Sequence, residues 1–542
     1  MKRFFHAHTI IALLACILTG CSLDRFPETS MDEGKFWNPL SADEFEGAAN
    51  QLYVYLAADW GDNRADDLFR NNYPNDISAG TRKVPATDNK WSQPYKMIFW
   101  ANRIIENDPS ASGASTVAAI SRYIGEAYFF RAYAYFQLVC RYGGVPLLER
   151  SAKDINDEIL FSGRASREDV MKLVYSDLDK AAERLPLPSR MSSGEYGRAT
   201  WTAALALKAR AALYEGTRRK FHEEEDWAAH LETAAESAGK VMESGEHELY
   251  TEGTQPYRDL FSYAGEGAPE NILVKLYGYP GVQILTHNFP YQYAVNYGAS
   301  RNFLRLYLKD NALPFEDIVA NEMTYNDFFD NRDPRLAQTC LRRGEITYQL
   351  GAFVPYAQSR TGFGIRKWVR NDGLTDQPST LDFPLLRYAE VLLTYAEAKF
   401  ELEGSISDED LNLSVNLLRK RAGMPDMTNS FITDNALDMR TELRRERSVE
   451  LAFEGHRYDD LIRWKEAENL LPQAILGAKF IAGEWGGASE SSLSDKLTQD
   501  KILVVEEENS RFFDPAKDYL YPIPSSEIAK SRNNVEQNPN WK

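Results

Sequence analysis

Glu126-Ala-Tyr-Phe-Phe-Arg-Ala-Tyr-Ala-Tyr-Phe-Gln-Leu-Val-Cys-Arg-Tyr-Gly-Gly-Val-Pro-Leu-Leu148 decides how the rest of this chain is read. Its spacing predicts a helix that stops at Gly143-Gly144, with Pro146 fixing the exit. One apolar row runs Ile120, Ile124, Ala127, Phe130, Ala134, Leu138, and a second runs Tyr128, Tyr135, Val139. Apolar rows on two sides mean a helix packed over most of its circumference. The alanines let neighbouring backbones approach, and the aromatic rings fill the wider gaps. Such a helix needs other helices around it.

Working outward, the chain supplies them. Ser41 to Glu44 resembles a capping box leading into Phe45, Ala48 and Leu52. A helix is expected from Trp91 through Ile105, another from Ser166 to Leu185, and an Ala/Leu-rich one from Thr200 to Leu213 with Trp227 to Met242 as its antiparallel partner. Between them, Asp59 to Asn89 has no period and reads as a long loop, and long loops inside compact folds are usually functional. Helical character fades from Phe261 to Gly298, where Ile272 to Leu276 looks like a strand, and returns at Leu385–Leu402, Asp408–Ala422 and Leu437–Glu454. The fold class expected is mainly α: a right-handed superhelix of TPR-like helix pairs, packed against an irregular C-terminal part with short strands and loops. The expected division is 36–260 for the TPR-rich half and 261–542 for the other, the two forming one compact domain.

The start of the chain carries Lys2-Arg3, an apolar run from Ile10 to Leu18, and Leu18-Thr-Gly-Cys21. This has the form of a lipoprotein signal over residues 1–20, cleaved before Cys21, with 21–35 as a polar tether; an ordinary signal with a coincidental cysteine is the alternative. Cys21 would then carry the acyl chains, and several chains hold a protein stably on a membrane. Without the signal, 60 basic residues face 80 acidic ones, a net charge of −20. That excess argues against nucleic acid as a partner. Cys140 and Cys340 remain, and Cys140 falls among core positions, which favours two thiols over a disulfide.

Catalytic signatures are sparse. No two of His222, His230, His247, His287 and His456 have metal-ligand spacing, and neither a nucleophile elbow nor a phosphate-cradling glycine loop occurs. Nothing calls for a cofactor or a metal, and an enzyme is not expected. Glu446, Glu450 and Glu454 form an i, i+4 ladder among arginines, which reads as ion pairing to neighbouring helices rather than as acid–base chemistry. Arg131, inside an apolar helix, is expected to meet a carboxylate such as Glu390 or Glu397. Two non-helical stretches combine rings with polar groups, as a sugar's apolar C–H face and ring of hydroxyls require. The first, Asn71 to Trp91, offers Asn75, Asp76, Arg82 and Trp91. The second, Tyr277 to Tyr297, offers Tyr279, His287, Tyr291, Tyr293 and Tyr297. These tyrosines could equally pack a small sheet.

The sequence resembles the SusD/RagB family of outer-membrane nutrient-binding lipoproteins. The resemblance rests on Cys21-Ser-Leu-Asp24, on Arg131-Ala-Tyr-Ala-Tyr-Phe with Tyr142-Gly-Gly-Val-Pro146, on Leu386 to Ala398, on Arg444 to Trp464, and on Tyr521-Pro-Ile-Pro524 with Gln537-Asn-Pro539. It implies TPR-like units as a scaffold and a surface-exposed lipoprotein that binds glycans through loops. The family delivers its ligand to a SusC-like TonB-dependent transporter in the outer membrane. The alternative keeps fold and transporter with peptide or another nutrient as ligand. The resemblance assigns no individual contact residue, because those loops vary with substrate.

Overall fold

The computed structural model describes residues 42–58, 60–71, 75–109, 117–278, 285–347, 351–369 and 378–542. Cys21 with the expected signal and tether, and Tyr279 of the second stretch, lie outside the described residues.

Six helices make the N-terminal layer: α1 Ala42–Tyr53, α2 Asn89–Glu106, α3 Val117–Tyr142, α4 Arg167–Arg184, α5 Trp201–Phe221 and α6 Trp227–Glu243. Side-chain caps set where several begin. Asp88 accepts from the Lys90 N–H, Ser166 from Asp169 and Thr200 from Ala203, each pairing a donor that the first turn leaves without a partner. The opening stretch is α3, which packs on α1, α2 and α4, while α5 packs on α6. It ends where Gly143 takes φ +76°, and a Cβ on Gly144 would sit 2.1 Å from the Ala165 carbonyl oxygen. The exit therefore needs both glycines.

Beyond α6 lie α7 Phe289–Asn296, α8 Tyr388–Glu403, α9 Val415–Ala422, α10 Met439–Glu450 and α11 Arg457–Arg463. Among the described residues there are three antiparallel strand pairs: β1 Leu68–Arg70 with β3 Tyr297–Ala299, which ties the two halves together, and β2 Asn271–Lys275 with β4 Phe383–Arg387 and β5 Ile475–Lys479 with β6 Ile502–Glu506 within the second half. The fold is mainly helical, as the periodicity indicates. One core joins α1–α5 to residues of α8 and α11; a second, rich in rings, contains Trp60, Tyr257, Phe261, Tyr293, Trp368 and Phe383. The expected helix 408–422 is two helices, broken at Ser414, whose hydroxyl donates to the Asp410 carbonyl.

Most buried charges are paired. Arg131 grips Asp177 on α4 with two hydrogen bonds, 2.7 and 2.8 Å, and neither Glu390 nor Glu397. Those two glutamates bind Arg210 and Arg463 instead, because the face of α3 bearing Arg131 packs on α4 rather than α8. The helix expected to reach Glu454 ends at Glu450, with Phe453 in the left-handed region at φ +61°, so Glu454 lies past α10; all three glutamates are nonetheless inter-element ties. Glu446 binds Arg335 and Arg419, Glu450 binds Arg387 and Arg421, and Glu454 binds Lys367 and Arg387. All are nearly sealed from solvent, so the excellent geometry is needed to offset the loss of hydration. Cys140 and Cys340 are both free thiols. No helix of the described residues is long and apolar enough to cross a membrane.

Candidate functional site

The loop 60–71 and the stretch 287–299 are brought together by backbone pairing. Leu68 lies opposite Ala299 and Arg70 opposite Tyr297 in the β1–β3 pair, and the Asn71 N–H donates to the Asn296 carbonyl at 2.7 Å. The Asn71 amide extends the tie, donating to the Val295 carbonyl and accepting from the Arg360 N–H.

Trp60 is the pivot. Its indole stacks on Phe289, with centroids 5.0 Å apart and planes 10° apart, and it touches His287, Trp368 and Phe383 at 4.6 to 4.8 Å. Gly61 follows in the left-handed region, at φ +62°, and its N–H donates to the Tyr293 hydroxyl at 2.7 Å. A Cβ there would strike the Tyr297 hydroxyl at 2.5 Å, so only glycine fits.

The stretch 277–297 is not all loop. Residues 289–296 form α7, begun by Pro290 in its first turn, and the helix turns Tyr293 inward. Tyr293 is fully buried and Tyr297 nearly so, which takes both off the accessible face. Burial pushes the pKa of both hydroxyls up. Two residues of the first stretch are likewise internal. Arg82 donates to the Asp518 carbonyl at 2.7 Å and lies over the Tyr521 ring; Trp91 packs on Tyr95 and Tyr142 at the start of α2. Arg82 thus anchors the loop to the C-terminal segment and Trp91 packs the start of α2 on α3, so neither is presented.

Half-buried Tyr277, His287, Phe289 and Tyr291 keep ring surface open, and Leu285 beside them is exposed. His287 Nε2 faces the Leu381 carbonyl at 2.8 Å and Nδ1 accepts from the Phe289 N–H, which fixes a neutral ring with its proton on Nε2. It is a strut between the 287 and 379 segments, which also pair through backbone bonds with Ser379. Asn75 caps its own turn through the Ile77 N–H and donates to Asn63, leaving exposed Asp76 at the rim.

Two carboxyls nearby are shifted upward. Burial with Asp66 and Asp62 beside it pushes Asp67 up to about 8, against one opposing arginine, Arg457. Burial raises Asp382 to about 7 although it accepts the Tyr277 N–H at 2.8 Å, with Glu266 adding repulsion. Asp382 thus sits under the Tyr277 backbone as a hydrogen-bonding group whose charge changes near neutral pH. Trp60 and Asp382 were outside the two stretches read as ligand-bearing. For Trp60 the available signal was an aromatic residue opening an aperiodic loop. Asp382 gave none, since its partner is 105 residues away.

Together the half-buried rings give flat apolar surface on a segment that also carries the half-buried amide of Gln292. Such a surface can stack on one face of a ligand and meet its polar edge.

Comparisons with known proteins agree with the fold. Residues 276–541 match the SusD family, and residues 47–213 match a family described as "Starch-binding associating with outer membrane". A SusD-like protein of Bacteroides ovatus is 28% identical over 506 residues, covering 88% of this chain and 85% of the relative. SusD-like protein P38 of Formosa agariphila is 26% identical over 87% of this chain and 94% of its own length. Among solved structures, a SusD-like carbohydrate-binding protein of Bacteroides fragilis superposes with a TM-score of 0.76 at 26% identity, covering 92% of this chain and 99% of that one. The chain belongs to the SusD/RagB family.

Proposed function

We infer that the protein captures glycans on the face built by the loop after Trp60, Tyr277 and residues 285–297, and hands them to a SusC-like TonB-dependent transporter without altering them. The observation that carries this reading is the set of half-open rings Tyr277, Phe289 and Tyr291, with Phe289 stacked on buried Trp60. Rings pre-set by packing bind sugar at low entropic cost, since no side chain must be ordered on contact. The relative described as carbohydrate-binding supports the ligand class, and the matched family's description supports the outer membrane as the location. Acylation at Cys21 would hold the protein there with this face turned to the exterior.

Two experiments test the reading. Tagged protein purified from its own membranes is expected to bring a β-barrel transporter with it and to carry lipid on Cys21. Incubation with bound oligosaccharide is expected to return the glycan with its length distribution unchanged. A shortened product, or an unmodified amino terminus on a periplasmic protein, would overturn it.

A further inference from the structure

A second space lies behind the aromatic face. Between α3, α5 and residues 454–463 runs a cavity of about 350 Å³, lined on another side by Ala57 and residues 60–64. It lies within the range of small-molecule sites, roughly 300–1,000 Å³, and would otherwise hold on the order of ten waters. Trp60 belongs to both places: it lines this cavity and stacks on Phe289 of the outer face.

Tyr133, Gln137 and Arg141 recur at intervals of four along α3 and so form one stripe of that helix, with Cys140 beside it. This stripe lies outside the two apolar rows of α3.

Charge on the walls is already spoken for. Arg64 pairs with Asp62 at 2.6 Å and faces Asp459 at 3.7 Å; Arg141 pairs with Asp88 at 3.0 Å. Arg210 binds Glu390, and Arg447 and Arg463 share Asp460. Glu454 is held by Lys367 and Arg387, and burial together with Arg210 and Arg447 keeps His456 neutral. A charged ligand would therefore have to displace an existing pair.

What remains unpaired is mostly neutral. The Gln137 amide is half-exposed and makes no hydrogen bond among the described residues, although it lines the space. The hydroxyls of Tyr458 and Tyr521, residues 2% and 5% exposed on the same wall, face each other and find no other protein partner. The Trp60 indole N–H turns to Tyr277 on the other side. Aromatic flats from Tyr133, Phe136 and Tyr214 stand next to these groups. Apolar flats beside neutral donors and acceptors match a ring of hydroxyls better than they match a hydrocarbon or an ion.

We propose that this cavity is a second ligand site, distinct from the outer face, that takes one neutral pyranose residue. Gln137 supplies its amide to the sugar hydroxyls, and Tyr133 and Phe136 offer ring surface. The site stands on this geometry and does not need the outer face to bind.

Cys140 lines the cavity and is partly exposed, whereas Cys340 is fully buried, so the first thiol reports on the space and the second on global opening. The full lipidated protein is alkylated with iodoacetamide and each cysteine is followed by peptide mapping. Glucose, xylose or galactose at about ten times its Kd is expected to slow Cys140 modification about tenfold and to leave Cys340 unchanged. Gln137→Leu is expected to abolish that protection. No protection by any of the three sugars, equal protection by sodium phosphate, or full protection in the leucine variant would each overturn the proposal. Wild-type crystals soaked in the protecting sugar serve as the check that needs no variant: an ordered ring against Gln137 supports the site, and water alone refutes it. Failure of the outer face would show separately, as lost oligosaccharide affinity, and would not move the Cys140 result.

Discussion

The Trp60 indole lies flat on the Phe289 ring, 5.0 Å away and within 10° of parallel. That contact joins an N-terminal loop to a helix more than two hundred residues later in the chain. Trp60 is 7% exposed and also packs on Trp368 and Phe383. Trp60→Ala is expected to cost about 3–5 kcal/mol, the usual penalty for emptying a large aromatic site. Chemical denaturation measures it. A loss under about 1 kcal/mol would mean that the loop and α7 hold together without the ring.

Arg131 and Asp177 form a two-bond ion pair inside the helical layer, with side chains 4% and 0% exposed. Removing one partner strands the other charge. Arg131→Met is expected to destabilise by about 3–5 kcal/mol, and Arg131→Met with Asp177→Leu to recover most of it. Thermal melts of the two single variants and the double variant complete the cycle. An unchanged single variant would contradict a buried pair.

Asp67 gives a pH signature. Its folded pKa of about 8 lies above the ordinary value of 3.8, so the folded state holds a proton that the unfolded chain releases. The associated stability is complete below about pH 4 and is lost as pH rises through about 8. Asp67→Asn, fixed in the neutral form, is expected to match wild type at pH 4 and to exceed it at pH 8, by on the order of several kcal/mol at most. Melting temperatures across that window decide it. A constant difference between the two proteins at every pH would place the raised pKa elsewhere.

Much of the scaffold can be read from local pattern, because helix packing leaves its period in the chain. The rows Ile120–Leu138 and Tyr128–Val139 are internal in the fold, Tyr128 being half-buried, and Gly143-Gly144 ends the helix where expected. Glu446 and Glu450 of α10 read the same way, since alternating charge along one face needs partners, whereas Glu454 falls past the helix end. What local pattern cannot tell is which neighbour a face meets. Arg131 finds α4 and not α8, a choice made by how whole helices dock. The site shows the same division. Both ring-bearing stretches could be found, but Tyr293 and Tyr297 turn inward because a short helix begins at Phe289 and β3 follows. Arg82 and Trp91 are drawn to Tyr521 and Tyr142, contacts that no local spacing encodes.

The most direct test of the central claim is calorimetric titration of neutral oligosaccharides into wild type and into Tyr277→Ala/Tyr291→Ala. Both tyrosines are half-buried and pack against the rim of the ring-rich core, so the melt of the double variant is measured beside its affinity and the comparison is made at a temperature where both proteins are folded. The account requires a glycan that binds wild type and binds the double variant at least tenfold more weakly, a loss of about 1.4 kcal/mol or more. Equal affinity in the two proteins would contradict it.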